Sequence, residues 1–442
     1  MERVPTERAC MTEVPPKASP HRWVVLAILV SLLPLYARQF DHYGNAGLAN
    51  RAYVIALVVV LVAAGALAAQ RPVLALFCDN LARSPLAWLY CVCLALTQLA
   101  VSIGSHDLMM GDAFRVGGYV AVTVIGFVLF PCALHRRGMD AWWNLLFLIG
   151  SVVAGLGLYT VVTGSTSFLG IRLALSSPFL GIHAVSGPFH EANIFGFTCL
   201  LGFTAGLYRL GACRTIGARC LTLLLMSLCV AGVFWSWSRA MYVALPLAMA
   251  VWVLVGVGPL ARKLLMVGGA FLAVGLWLAI QASPFASSVL QLEIGLSGRD
   301  ILWPAAIAAI ADRPLTGHGM NGDLLINVVN RYGGWMLGAP MPAHNGFLDL
   351  GVQAGLSVPL VYILVIGVAF WRLLRSPAPM GVKRALAASL TVAVVAATFL
   401  SYSLGGASYT SLALTILLGI ANAAPVLYPE RVEAPRAEPA AL

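Results

Sequence analysis

Leu296-Ser297-Gly298-Arg299-Asp300-Ile301-Leu302-Trp303 opens the one long polar interruption in an otherwise apolar chain. Asp312-Arg313-Pro314-Leu315-Thr316-Gly317-His318-Gly319 continues it, and Met341-Pro342-Ala343-His344-Asn345-Gly346-Phe347-Leu348 closes it. Within it, 299–312 reads as a helix, with Ser297 or Gly298 at its cap and Pro314 ending it. At 1.5 Å per residue such a helix is about 20 Å long, too short to cross a bilayer. It is expected to lie on the membrane surface or pack onto the bundle.

The rest of the chain sets the fold class. Of 442 residues, 60% are hydrophobic and only 10% charged, and mean hydropathy is +0.89. Soluble domains carry about 25% charged residues. Long unbroken apolar runs, rather than short alternating ones, predict an all-α polytopic membrane protein and exclude open sheets and β-barrels. About twelve transmembrane helices are expected, centred on 23–37, 52–69, 85–103, 113–134, 142–163, 188–208, 218–237, 240–257, 264–281, 346–371, 385–402 and 407–424. The chain then divides into a tail (1–22), nine spans (23–281), a large loop (282–345), three spans (346–424) and a second tail (425–442). The first apolar run lacks a small-residue cleavage site and reads as a retained helix.

Charge orients this layout. With both termini in the cytoplasm, nineteen of the 27 basic residues and eight of the 17 acidic ones fall on the cytoplasmic side. That is the positive-inside pattern. It puts the 282–345 loop outside, in the periplasm of a Gram-negative cell. The net charge of +10 is explained the same way, and no basic stripe with interleaved aromatics points to nucleic acid. All three Lys fall inside, and every outside base is Arg, the side chain suited to bidentate phosphate binding. The nine Cys make neither a disulfide framework nor a zinc pattern; Cys91-Val92-Cys93 lies in an apolar run.

Chemistry-bearing groups gather on the outer side. Arg239, in Trp235-Ser236-Trp237-Ser238-Arg239, sits at the membrane edge, where an Arg needs an anion or snorkels to the interface. Arg299 stands at a helix N-terminus, which attracts anions, or else pairs with Asp300 or Glu293. His344 precedes an apolar span, where a neutral imidazole accepts a proton from a hydroxyl, or His344-Asn345 merely caps the helix. His318 lies between two glycines and reads as a turn residue or an accessory group. Glu191 and Asn193 enter the sixth span, Glu191 as a partner for an arginine or as an idle interfacial carboxylate. Arg172 lies in the preceding outer loop. No P-loop, GxSxG or HExxH motif occurs, and no acidic cluster suggests a divalent metal.

Taken in order, these motifs resemble the O-antigen ligase/polymerase superfamily. The resemblance runs from about Gly187 to Gly355: Gly187-x-Phe189…Asn193, Ser238-Arg239-Ala240, Ser297-Gly298-Arg299…Trp303, Pro314-x-x-Gly317-x-Gly319 and His344-Asn345-x-x-Leu348. It implies an inner-membrane glycosyltransferase without metal or other cofactor. Such an enzyme moves a glycan from undecaprenyl diphosphate to an acceptor hydroxyl at the periplasmic face. By position, Arg239 and Arg299, with Arg172, would bind the donor diphosphate, and His344 would be the base. Glu191, Asn193, Ser238, Gly298, Trp303, His318 and Asn345 would support them. The implied partners are the lipid-linked donor, a glycan or lipid A-core acceptor and membrane lipids. Ala192 stands where the family often has Pro, and no Arg directly precedes Gly187. The contrasting class is a transporter or flippase of a lipid-linked or anionic substrate. No internal repeat and no mid-span charge relay favours it.

Overall fold

The computed structural model describes residues 71–105, 110–169, 171–179, 182–189, 191–258, 298–320, 322–338, 340–406 and 408–428. The expected spans 23–37, 52–69 and 264–281 lie outside the described residues, as do the first tail, residues 429–442 of the second and residues 282–297, Ser297 and Glu293 included.

Among the described residues the chain is mostly helical, with little sheet. In order come α1 (Arg71–Ala82), α2 (Pro85–Ser105), α3 (Met110–Val122), a π-helical segment (Thr123–Leu129) and α4 (Phe130–Thr163). Two antiparallel hairpins follow, β1–β2 (Ser167–Phe168, Ile171–Arg172) and β3–β4 (Ala174–Phe179, Ile182–Gly187). Then come α5 (Ala192–Ala212), α6 (Ile216–Trp235) and α7 (Arg239–Gly256). Beyond them lie α8 (Arg299–Asp312), α9 (Gly322–Arg331) and a 3-10 turn (Gly334–Leu337). The chain closes with α10 (Gly346–Ala354), α11 (Ser357–Arg375), α12 (Met380–Phe399) and α13 (Tyr409–Leu427).

Nine helices among the described residues are long and apolar enough to cross a membrane, and each corresponds to an expected span. Two details differ from the expectation. The hairpins between α4 and α5 add sheet to a chain read as purely helical; their strands are too short and irregular for periodicity to reveal. The tenth span begins at Ser357, not at residue 346. Residues 346–354 form a separate short helix because Gly355, at φ 73°, turns the chain before α11.

The bundle packs through small residues, as expected where lipid supplies no hydrophobic drive between helices. At the α4–α5 crossing a Cβ on Gly150 would stand 2.5 Å from the Gly202 Cα. The innermost helix is α13, buried along nearly its whole length. Around it lies one continuous apolar core built from the spans.

The polar segment folds into a small helical unit of its own. On α8, Leu302, Ala305, Ala306, Ala309 and Ile310 recur at helical spacing and are all buried. They pack with Leu325, Val328 and Val329 of α9 and with Val352 of α10. The expected surface helix therefore has a core of its own, packed on the bundle. A strap from Pro314 to Gly319 binds α8 to the end of α10. Leu356 N–H donates to Pro314 O (2.7 Å), His318 N–H to Val352 O (2.9 Å) and Gly319 N–H to Gln353 O (2.9 Å). Gly317, at φ 66°, lies against Gln353 and Ala354, where a Cβ would come within 2.5 Å of their backbone. This explains the Pro-x-x-Gly-x-Gly spacing: the glycines let two backbones touch. Met320 then anchors the strap to the bundle, accepting from Arg115 Nη1 (3.1 Å) and donating to Gln98 Oε1 (3.0 Å).

Candidate functional site

Three connections at one end of the bundle converge: the start of α5, the α6–α7 turn and the α12–α13 loop. The α8–α10 unit docks against them.

The α6–α7 turn is short. Ser236 Oγ donates to Val233 O (2.6 Å) and accepts from Ser238 N–H (3.2 Å). Trp237 takes a left-handed backbone conformation, φ 49°. Ser238 does not use its side chain to cap α7; its hydroxyl donates to Asn193 Oδ1 at 2.8 Å. Arg239, the first residue of α7, is exposed at this end. Thus Asn193 and Ser238, 45 residues apart, join two of the sequence motifs beside Arg239.

Arg299 begins α8 after Gly298, whose φ of 79° favours glycine. A Cβ on Gly298 would also press to 2.8 Å from the Leu337 side chain. The Arg299 side chain crosses to the bundle and donates from Nη2 to Phe399 O, 2.8 Å, at the end of α12. One turn later Trp303 sets its ring 6.3 Å from that of Phe399 and donates Nε1–H to Ala343 O, 3.1 Å. Burial holds the Arg299 guanidinium below its ordinary pKa, and the nearby Arg239 charge adds to that.

His344 is half-buried and left-handed, φ 51°. A non-glycine residue rarely adopts that region, and such strain persists only where the surroundings enforce it. Asn345 caps α10, accepting from Phe347 N–H (3.0 Å) and Leu348 N–H (3.1 Å). Capping and a site role therefore coexist in adjacent residues. Gly346 is packed so tightly on the Tyr402 carbonyl that a Cβ has no room. Burial lowers the His344 pKa, Arg299 lowers it further, and Glu191 opposes both. Glu191 precedes α5 without capping it through its side chain, and its charge also reaches Tyr402.

Arg239, Arg299, His344 and Glu191 are thus within electrostatic reach of one another in a chain of neighbours. His318 stands apart. Its Nε2 bonds Ala309 O at 3.0 Å, ten residues along α8 from Arg299, or about 15 Å of helix. Its ring packs 6.1 Å from Tyr332, so its visible contacts hold the strap. Arg172 pairs with Ser167 in the first hairpin, and only its backbone is described.

Two contributors were not singled out in the sequence. The end of α12 and the α12–α13 loop, apolar enough to pass for one helix end, supply Phe399 O, Ser401 and Tyr402. Asp349 lies hidden in what reads as an apolar span. Its Oδ1 accepts the Ala343 N–H at 2.9 Å, and burial raises its carboxyl to about 6.

One comparison with known proteins gives a match. The family model described as O-antigen ligase matches residues 223–363, a stretch that contains Arg239, Arg299 and His344 but neither Arg172 nor Glu191. No curated protein matches the chain. Residues 223–363 are thus similar to the O-antigen ligase family, which supports the resemblance to the O-antigen ligase/polymerase superfamily.

Proposed function

We propose that the protein is a membrane glycosyltransferase that moves a glycan from undecaprenyl diphosphate to an acceptor hydroxyl at the periplasmic face. The observation that carries this reading is the electrostatic proximity of two guanidinium groups, Arg239 and Arg299, and of Arg299 to the half-buried His344. Like charges held together suit a dianionic ligand between them. A diphosphate fits, because guanidinium groups bind its oxygens bidentately and take up charge as it leaves.

The chemistry follows from the residues. His344 is held below its ordinary pKa, hence neutral near pH 7. It accepts the acceptor's hydroxyl proton as that oxygen bonds to the anomeric carbon. The anomeric C–O bond to diphosphate breaks, and the electron pair departs onto the phosphate between the arginines. Glu191 lies near enough to stabilise the imidazolium that forms. A positioned base adds about 10²–10⁴-fold. Arg172 extends the donor site from the hairpin, and His318 supports it through the strap. The charge asymmetry of the loops favours cytoplasmic termini, an inner-membrane location and a site facing the periplasm.

The acceptor defines the reaction as ligation to lipid A-core, polymerisation of O-antigen or exopolysaccharide, or protein glycosylation, and the first two are favoured. Purified protein supplied with a polyprenyl-diphosphate-linked oligosaccharide tests the reading. His344→Ala is expected to abolish transfer. Lipid movement across a vesicle without any transfer would establish the transporter class instead. In a deletion strain, single repeats on core mark a polymerase, and free lipid-linked chains beside bare core mark a ligase.

A further inference from the structure

We propose that Asp349 is a positioning residue for His344: its buried carboxylate grips the backbone ahead of His344 and holds the imidazole toward Arg299 and Glu191. This rests on the reading of His344 as the base.

Both backbone groups of Ala343 are taken by side chains. Trp303 of α8 donates Nε1–H to its carbonyl, 3.1 Å, and Asp349 of α10 accepts its N–H, 2.9 Å. Asp349 is itself fixed, because its N–H donates to Asn345 O at 2.8 Å. The residue between these anchors is His344, at φ 51°. For an L-residue that conformation costs about 1–2 kcal/mol and needs enforcement. Asp349, Trp303 and the Asn345 cap provide it from three directions.

The choice of an ionisable group has a physical reason. A carboxylate accepts at both oxygens. The Ser401 hydroxyl and the Asn345 N–H lie close to the same carboxylate, although Oδ2 makes no hydrogen bond of ordinary geometry. An amide keeps one accepting oxygen and no charge, so it grips the Ala343 N–H less firmly. Burial penalises the ionised form, which raises the carboxyl to about 6. A buried charge that taxes the fold yet sits one backbone group from the proposed base is better explained by placement of that base than by stability.

The test uses full-length protein and a polyprenyl-diphosphate-linked oligosaccharide as donor. Asp349→Asn is expected to lower kcat at least about tenfold, since a misplacement near 1 Å can cost 10²-fold. KM for the donor stays within about twofold, and the thermal midpoint at pH 7.5 is unchanged or higher, because a buried charge is gone. A kcat within twofold of wild type overturns the inference. So does a kcat loss that comes with a lower midpoint, which assigns Asp349 a structural role. If Asp349→Asn does not fold, Asp349→Glu decides: its charge is kept but displaced, so the same kcat loss is expected, and wild-type kcat overturns the inference. His344→Ala separates the two claims. Full activity in that variant removes the reading of His344 as base. Loss there, with wild-type kcat in the Asp349 variants, removes only the inference about Asp349.

Discussion

Ser238 donates its hydroxyl to Asn193 Oδ1 at 2.8 Å, tying the start of α7 to the start of α5. Ser238 is buried, so the bond is shielded from water. Ser238→Ala leaves the Asn193 carbonyl without this donor and frees the turn before Arg239. A stability loss of about 1–2 kcal/mol is expected from the missing partner. The donor KM should rise more than kcat falls, since Arg239 binds rather than reacts. Thermal unfolding with steady-state kinetics checks this; an unchanged donor KM would detach Ser238 from the site.

Arg299 reaches across from α8 to Phe399 O and feels the Arg239 charge. Arg299→Lys keeps the charge but loses the planar fork. A fall in kcat/KM of roughly 10- to 100-fold is expected, the scale of one or two charge-assisted hydrogen bonds. Arg239→Lys should behave alike. Wild-type kcat/KM in both would leave the diphosphate without its proposed site.

The pH profile reports on His344. Burial and Arg299 lower its pKa, and Glu191 raises it. The base is active when neutral, so activity falls as pH drops through the imidazole pKa. Glu191→Gln removes the opposing influence. The acid limb of kcat/KM should therefore move to lower pH, with a smaller maximum. A limb that moves upward contradicts the arrangement. The stability linkage has the matching sign: a folded pKa below the free value of 6.5 favours the neutral ring, and that contribution is full above 6.5 and lost as pH falls from there through the lower folded value.

Asp349 runs the other way. Its folded pKa, about 6, stands above the ordinary value of 3.8. Folding therefore takes up protons, and this group's stabilisation is full below pH 3.8 and lost as pH rises through 6. The difference in thermal midpoint between wild type and Asp349→Asn should change across that window and level off above it. A flat difference from pH 3.5 to 7 would contradict this.

Gly317→Ala tests the strap. Its left-handed φ and the touching backbone of Gln353 and Ala354 leave no room for a methyl. Destabilisation of at least about 1–2 kcal/mol is expected, with loosening of α8 against α10. Because Arg299 begins α8 and His344 immediately precedes the cap of α10, kcat should fall as well. Retained stability and kcat would show that the strap does not set their spacing.

Much of this molecule is legible along the chain. Apolar length marked the nine described spans, because lipid leaves helices as the simplest way to satisfy a backbone. The limits of α8 followed from Gly298, from apolar residues at helical spacing and from Pro314. Arg239, Arg299 and His344 stood out because charged or titratable groups at a membrane edge are costly and few. Asp349 did not stand out: one carboxylate among apolar residues reads as part of a span until Gly355 is seen to turn the chain. Tyr402 and the Phe399 carbonyl were equally silent, since a backbone oxygen carries no sequence signal. The hairpins were missed because their register is irregular.

The sequence by itself determined the helical class of fold, the segments long and apolar enough to cross a membrane and the residue types available for an anion and a proton. Those depend on local hydrophobicity, charge and spacing. Tertiary structure alone decided that Ser238 holds Asn193, that Arg299 spans from α8 to α12, and that His344 is bent into a left-handed turn between Trp303 and Asp349. Such contacts join residues from six to 100 positions apart. They exist only once helices pack, because directional hydrogen bonds need both partners brought to within about 3 Å.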